Sequence, residues 1–584
     1  MSHIRDLLDE FNTISSSRLE WQKYWADVAK YVLPHTAQFD RLFSNGTSNA
    51  APINAVVDTP VAAERSKHLY DMTSLWGIER LTAGILTLKT PESDRWHDLG
   101  VDTEFDHQTS AEEKTGLERV RDYQFKVRSN PKSGFWSNHK SAVRSMCAFG
   151  DGWMLVEENH GQRLPYRYEH VPLFDCYPML SSTGQPSTMY RSKLLSAYNI
   201  RATYGEKAGS KITDMANDPR RMHERVQVLQ GVRPRSDKQR TPIGVNSGAF
   251  ASTHFLPQEE IILSEGGYYE FPFVRYAWNN SGTCAYSEGP VAIALGEIKS
   301  LQEMAKNELI GTQMLLRPPI ATIGKNMGRI NFNPGANNPG LINGDGNPLF
   351  APMNAGIRPD FARVVIDARR NGLRELLYLN LWQVLLDKEG MTATEAMIRA
   401  QEKGELLGPV GISLNEGLSG MVDREVGILG RKGAFNPGSA LELPASLGGR
   451  DVAPHFTSPL DRLRRIGELI GIQRLVEFAG MLGQVGLTNA LARLDDDEMI
   501  EIAQDVLGAP VRVLTPREKA KEKAGPQQQI EQLMATMGAA EGAGNAMRAV
   551  GEGGKAVTEA SEMAANSPAA QRAMQMISSM GQGA

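Results

Sequence analysis

SEGPVAIALGEIKSLQEMAKNELIGTQMLLRPP, residues 287–319, is the stretch whose reading decides the fold. Ser287 and Pro290 open a helix, with proline at an early position where its missing N–H costs nothing. Apolar residues follow at Val291, Ala294, Ile298, Leu301, Ala305, Leu309 and Leu316, and Arg317-Pro318-Pro319 ends the run. About 27 helical residues rise roughly 40 Å. A second run over about 360–387 carries Phe361, Val364, Val365, Ala368, Leu376, Leu377, Trp382 and Leu385 on an apolar face. Arg363, Asp367, Arg370 and Arg374 form its polar stripe. Its expected length also comes to roughly 40 Å.

Two helices of matched length therefore flank residues 318–360, where ATIG, RINF, GANNPG and NGDGNPLF read as turns and short strands. The pattern predicts an antiparallel stalk with a small domain at its tip.

Working outward, residues 1–34 read as helical, with Leu7, Leu8, Phe11 and Ile14, then Trp21, Trp25, Val28, Ala29 and Val32 at helical spacing, closed by Pro34. Trp21, Tyr24, Trp25 and Tyr31 are read as core. Residues 35–60 are a polar loop, 61–88 a helix, 95–99 a strand or its approach, and 110–150 helical with a break at Asn130-Pro131. From 151 to 286 short β-like runs (153–157, 165–171, 188–194, 225–229, 260–263 and 268–277) predict a mixed region with a small antiparallel component. Residues 232–252 read as a mobile polar loop.

Beyond the second long run, Thr392 and Glu395 have capping-box spacing. That helix is expected to break at Gly408-Pro409, and another to cover 412–430. Residues 433–455 read as a Gly/Pro-rich connector and 459–508 as helical. In 526–584, Ala, Gly, Met and Gln supply 36 of 59 residues, too little to bury a core.

The chain has 584 residues and a mass of 64.1 kDa, enough for three or four domains at about 150 residues each. Its formal net charge is −5, which argues against a surface that grips nucleic acid all over. Cys147, Cys176 and Cys284 include no close pair, so they suggest neither a disulfide framework nor a zinc site and read as small buried hydrophobes. The N-terminus has no apolar signal core. The richest apolar run, 373–386, carries Arg374, Glu375, Asn380 and Gln383 and reads as a buried helix, so no membrane association is expected.

The sequence contains no Walker-type phosphate loop, no H-E-x-x-H, no C-x-x-C and no G-x-S-x-G. Asn343-Gly-Asp345-Gly-Asn347 has calcium-loop residue types but no closing glutamate, so it reads as turn chemistry. Glu157-Glu158 and Asp495–Asp497 read as solvated faces, and the scattered histidines as surface or satisfied core. No catalytic residue, metal or cofactor is expected, and a structural or interaction role remains.

In order and spacing, several motifs resemble the head-to-tail connector, or portal, proteins of podovirus-type double-stranded DNA phages over about residues 5–510. They are the Trp21/Trp25/Pro34 helix, TSLWGIERLTAGILTLKTPESDRWHDLG (73–100), 171–190, YEFPFVRYAW (269–278), 289–319, and 390–431. Where such proteins carry an aromatic-Gly before the first long helix, this chain has Tyr286-Ser287-Glu288-Gly289-Pro290.

The resemblance implies a mainly helical α+β portal fold closing into a ring, normally of twelve subunits. Residues 1–286 would form the N-terminal part of a wing, 287–317 and 361–387 the two stem helices, and 318–360 a clip. Residues 388–455 would supply the channel loop and the rest of the wing, 456–510 a helical crown, and 511–584 a partly mobile tail. The ring would sit in the virion at one capsid vertex, between capsid and tail, after assembly in the host cytoplasm. Expected partners are other copies of the chain, the terminase, tail adaptor proteins, the major capsid and scaffolding proteins, and duplex DNA. Channel-facing candidates are Lys388, Glu389, Met391 and Thr392. Lys388 either touches phosphate or is an exposed Lys favoured by a helix C-terminus. Clip candidates for docking terminase and adaptors are Lys325, Arg329, Phe332, Asp345, Phe350 and Arg358. The competing readings are a packaging-associated ATPase or nuclease subunit and a soluble hydrolase with an unrecognised site.

Overall fold

The computed structural model describes residues 2–34, 36, 66–67, 69–101, 110–160, 163–236, 239–241, 247–279, 283–316, 320–322, 342, 345, 347, 350–352, 359–379, 393–448, 450–484 and 494–507. Residues Met1–Val511 group into one compact unit and Arg512–Ala584 into another, and only the first contains described residues.

The N-terminal segment is two helices, α1 (Ser2–Ser17) and α2 (Leu19–Tyr31), hinged at Arg18. Arg18 is fully buried and donates to the carbonyls of Cys176 (2.7 Å) and Phe174 (2.6 Å), so the break serves to plant a cation under the chain. Helix α3 (Thr73–Lys89), strand β1 (His97–Gly100), helix α4 (Ala111–Arg128) and helix α5 (Phe135–Phe149) follow. α3 begins at Thr73, just after Asp71, whose carboxylate accepts from the Thr73 amide at 2.8 Å; residues 61–65 and 68 of the helix expected over 61–88 lie outside the described residues. Trp25 is fully buried, with Trp21, Tyr24 and Tyr31 packed against the same core, as expected.

Two antiparallel sheets make up most of the strand content. The first has the order β3-β2-β9, from β2 (Asp151–Glu158), β3 (Tyr166–Val171) and a strand contributed much later, β9 (Phe273–Ala277). The second is a five-stranded meander of β4 (Cys176–Leu180), β5 (Pro186–Ser196), β6 (Arg225–Pro234), β7 (Phe250–Leu256) and β8 (Ile261–Tyr268). Between β5 and β6 lie α6 (Ala197–Tyr204) and α7 (Gly209–Asn217). Alternation along β6 sends Val226 and Val228 towards α6 and α7 and Leu229 towards α1, so the meander is covered on both faces.

The expectation of a loop over 232–252 is corrected at both ends. Val232 pairs with Ser252 and Pro234 with Phe250, and Arg235 donates to the carbonyls of Gly248, Phe250 and Gly266. The main-chain ladder does not need apolar side chains, so a polar run can still be strand.

Next come α8 (Pro290–Leu316), β10 (Ile320–Thr322), β11 (Phe350–Pro352) and α9 (Pro359–Leu376). α9 is 18 residues long and gives way to a turn at 377–379, so the expected unbroken helix over 360–387 is corrected there, while residues 380–387 lie outside the described residues. The chain ends α9 with a Schellman-type turn, in which Leu379 N–H bonds Arg374 O and Tyr378 N–H bonds Glu375 O. Tyr378 takes the left-handed conformation, φ 57°, that glycine usually fills. The turn is held because Leu377 and Leu379 bury against α3 at Gly77, where a Cβ would sit 2.6 Å from Leu377 Cδ1.

α10 (Ala393–Arg431) is one helix of 39 residues with Pro409 inside it, correcting the expected break. Packing overrides the missing N–H. Gly411 admits Leu460 of α11 (Pro459–Gln484) to within 2.8 Å of where a Cβ would lie, and Gly417 rides on the β9 backbone at Arg275. β12 (Ala453–Phe456), inside the expected connector, pairs antiparallel with β1, His97 opposite Phe456. α12 (Asp496–Leu507) ends the described chain. Among the described residues no helix is long and apolar enough to cross a membrane. The whole is mainly helical α+β, as the sequence suggested.

Cys147 and Cys176 are buried as expected, whereas Cys284 is exposed. The core between α4, β3 and α10 holds an ion pair with both side chains fully buried. Arg128 Nη2 donates to Glu425 Oε2 at 2.7 Å and Nε to Oε1 at 3.2 Å, while Tyr168 OH donates to Oε1 at 2.5 Å. The guanidinium also stacks 4.7 Å over Trp96. Burial pushes the Glu425 carboxyl up, against the pull of Arg128. Removing one partner strands the other charge in the core. Glu425→Gln is expected to destabilise the fold by about 3–5 kcal/mol, and Arg128→Met with Glu425→Leu to recover most of that loss. Urea unfolding followed by tryptophan fluorescence checks this; a single-variant loss under about 1 kcal/mol contradicts it.

Candidate functional site: the long helix pair, its root and its cleft

The root of α8 is built from a carboxylate between two glycines. Asp151 opens β2 and is fully buried. Its Oδ1 accepts from Arg275 Nε on β9 at 2.8 Å and from Ser287 Oγ at 3.2 Å, and its Oδ2 accepts from the Ser287 amide at 2.5 Å. Arg275 Nη2 also donates to Ser287 Oγ at 2.8 Å. Burial pushes the Asp151 carboxyl up, and Arg275 and the Ser287 hydrogen bonds pull it down. The flanking glycines allow this close approach. A Cβ at Gly150, φ 100°, would lie 2.1 Å from Ser287 O, and one at Gly152 would lie 1.9 Å from Ala142 O. Three residues before Pro290, the chain is thus fixed to the three-stranded sheet.

Along α8, Val291, Ala294, Ile298, Leu301 and Ala305 face the core. Gln302 then clamps the approach to α3. Its Oε1 accepts from the amides of Tyr70 (2.8 Å) and Asp71 (3.0 Å), and its Nε2 donates to Asp71 O (2.6 Å). Ion pairs tie α8 to α9, Glu297 with Arg369 at 2.6 Å and Glu308 with Arg363 at 3.1 Å. As one number rises the other falls, so the helices run antiparallel. At their far end Ile320 pairs with Pro352 and Thr322 with Phe350, an antiparallel β10–β11 ladder.

Opposing charges balance on this pair. Lys299, Lys306, Arg363, Arg369, Arg370 and Arg374 are set one for one against Glu297, Glu303, Glu308, Asp360, Asp367 and Glu375. Past Ala305 the helix leaves the core, and Leu309, Ile310, Met314 and Leu315 are exposed on more than one side. α11 likewise exposes Leu475, Val476, Phe478 and Met481. Exposed apolar side chains grouped on one helix in this way are candidates for contact with another molecule.

A cleft of about 620 Å³ opens between α3 and α9, lined by Asp71, Met72, Thr73, Trp76, Arg80, Asp367, Arg370, Arg374 and Leu379. Arg370 spans it, donating from Nε to Asp71 Oδ2 at 2.8 Å and from Nη1 to Asp367 Oδ1 at 3.0 Å. These carboxylates are therefore already engaged. Trp76 is 64% exposed at the cleft wall.

Of the clip candidates, Phe350 lies in β11 and Asp345 is exposed in a turn. Lys325, Arg329, Phe332 and Arg358, and the channel candidates Lys388, Glu389, Met391 and Thr392, lie outside the described residues. Sequence reading missed Asp151, Arg275, Gln302, Arg370 and the Trp76 cleft. The Gly150-Asp151-Gly152 run was a usable signal, since glycines on both sides of an acid in a strand point to close backbone approach. Gln302 carried none.

Gln302→Leu is close in size but leaves two amides and a carbonyl without their partner. It is expected to cost about 1–3 kcal/mol and to speed hydrogen exchange at the Tyr70 and Asp71 amides, with α5 amides unchanged. Exchange mass spectrometry reads this, and parent-like protection at both amides contradicts it.

The family model described as bacteriophage head to tail connecting protein matches residues 5–514. A relative described as a probable portal protein, from Bordetella phage BPP-1, is 24% identical over 550 residues, covering 90% of this chain and 92% of the relative. Neither comparison supports an ATPase or nuclease. With the match running from α1 through α12, the chain belongs to the bacteriophage head to tail connecting protein family.

Proposed function

We propose that this portal protein closes into a ring of twelve subunits at one capsid vertex of a podovirus-type double-stranded DNA phage. The ring is the conduit for packaging and ejecting the genome. It assembles with capsid and scaffolding proteins in the host cytoplasm, docks the terminase during packaging, and then receives the tail adaptor proteins. α8 and α9 form the stem, residues 318–360 the clip, and residues 388–392 the loop nearest DNA. β1–β9 with α10 and β12 form the wing, and 456–510 the crown. The chain has no catalysis of its own.

The observation that carries this reading is the antiparallel α8/α9 pair. It is pinned at its root by Asp151, capped at its far end by the β10–β11 ladder, and apolar on exposed faces beyond the core. A monomer would leave those faces wet, whereas head-to-tail contacts round a ring bury them. The balanced charges of the pair support a conduit that lets DNA slide, since each neutralised phosphate adds salt-sensitive affinity and drag. In this reading the α9 stripe Val364, Ala368, Asn371 and Glu375, which lies on one helix face and is exposed or half-buried, faces the channel.

Lysine at Val364, Ala368 and Asn371 together is expected to raise duplex affinity, to add about 0.9 to the salt-dependence slope per phosphate newly contacted, and to slow packaging. Filter binding at several salt concentrations and a packaging assay with the assembled particle test it. Unchanged packaging with unchanged salt dependence contradicts the channel assignment, and ATP hydrolysis by the purified ring itself contradicts the passive role.

A further inference from the structure

A ring of identical subunits needs two different surfaces on each chain, one for each neighbour. Ile293 is 78% exposed, the most exposed large apolar side chain described, although it sits in the well-packed first half of α8. At about 100° per residue, Gly296, Ser300, Glu303 and Asn307 continue its face in a narrow stripe. All four are exposed or half-buried, and a Cβ at Gly296 would meet nothing within 4 Å. Nine residues separate Ile293 from Gln302, which places the two on opposite sides of α8, roughly 180° apart. Gln302 points to Asp71, in the wall of the Trp76 cleft. The Ile293 stripe and the cleft therefore face away from each other across the helix.

The two surfaces are also complementary in chemistry. The cleft offers an exposed indole and Met72, with Arg80 and Arg374 at its edge. Neither arginine forms an ion pair with another described residue. Around Ile293 the exposed charges are Glu288 and Glu303, also without a described ion-pair partner. Small residues along the stripe let another backbone come close, while tryptophan and arginine are the side chains that most often anchor protein contacts.

We propose that Ile293 and its stripe on one copy seat in the Trp76 cleft of the next copy, with Glu288 and Glu303 towards Arg80 and Arg374, so that the cleft's occupant is a second copy of this chain. This placement rests on the ring reading above and adds which surfaces meet. It makes the contact head-to-tail, and it joins one subunit's α8 directly to the Asp71–Gln302–Arg370 clamp of its neighbour.

The test uses the full chain with Cys284→Ser, which removes the exposed thiol. Trp76→Cys with Ile293→Cys, oxidised after assembly and run on a non-reducing gel, is expected to give a ladder of linked chains up to ring size. Each single variant is expected to run as monomer. A full-mass ring with no ladder overturns the placement and leaves the ring reading standing, while dimers from either single variant reveal a symmetric contact and also overturn it. Absence of any ring from the unsubstituted chain, alone and beside a capsid scaffold, overturns both. Should the double variant not assemble, Ile293→Asp and Trp76→Asp decide by native mass. Both sites are exposed, so each monomer should keep the parent thermal midpoint while half-assembly needs at least ~10-fold more protein. Parent-like assembly of both overturns the placement.

Discussion

One buried carboxylate ties the long helix to the rest of the molecule. Asp151 joins β2, β9 and the start of α8 through Arg275 and Ser287, in a space that only glycine at 150 and 152 leaves open. A 27-residue helix that leaves the core after Ala305 acts as a lever, so its direction depends on how firmly its first turn is held. Hydrogen bonds to a charged group are stronger and more directional than neutral ones, and here they fix that turn in three ways. Gln302 and the Glu297–Arg369 pair then extend the constraint outward to α3 and α9.

Elsewhere the same device recurs. Arg128 and Glu425 join α4 to α10, Lys89 and Asp461 join α3 to α11 at 2.5 Å, and Arg18 joins the N-terminal hinge to the start of the meander. Each links segments far apart in the chain. Buried polar contacts of this kind tolerate little misplacement, so each tie fixes how its two segments meet. Distal α8 and α11 expose apolar residues beyond these ties, while Ile293 and Trp76 are exposed close beside them, so surfaces left open lie both next to the rigid centre and away from it.

Much of this was legible in the sequence. α8 could be read almost to the residue, since a proline opens it, prolines follow it and its core face has one clear period. The short antiparallel strands were visible as β-branched and aromatic runs, and the helical break at Asn130-Pro131 was marked by its proline. What escaped depended on distant packing. α9 stops at Leu376 because Leu377 and Leu379 find Gly77 on α3, and α10 passes through Pro409 because Gly411 and Gly417 seat it on α11 and β9. The β1–β12 pair joins residues more than 350 apart; 95–99 was legible as a strand, but nothing local marked its partner at 453–456. Function was legible only as a resemblance, because no catalytic motif is there to find; what holds the long helix is a glycine-flanked acid and a glutamine.

The proposed function requires the chain to close into a ring around a channel. Native mass spectrometry of the purified chain, with negative-stain images of the same sample, tests it most directly. The expected result is a closed species of about twelve times the 64.1 kDa chain mass, or a neighbouring whole-number multiple, with a central hole. A chain that stays monomeric across salt and concentration, and still does so beside a capsid scaffold, would contradict it.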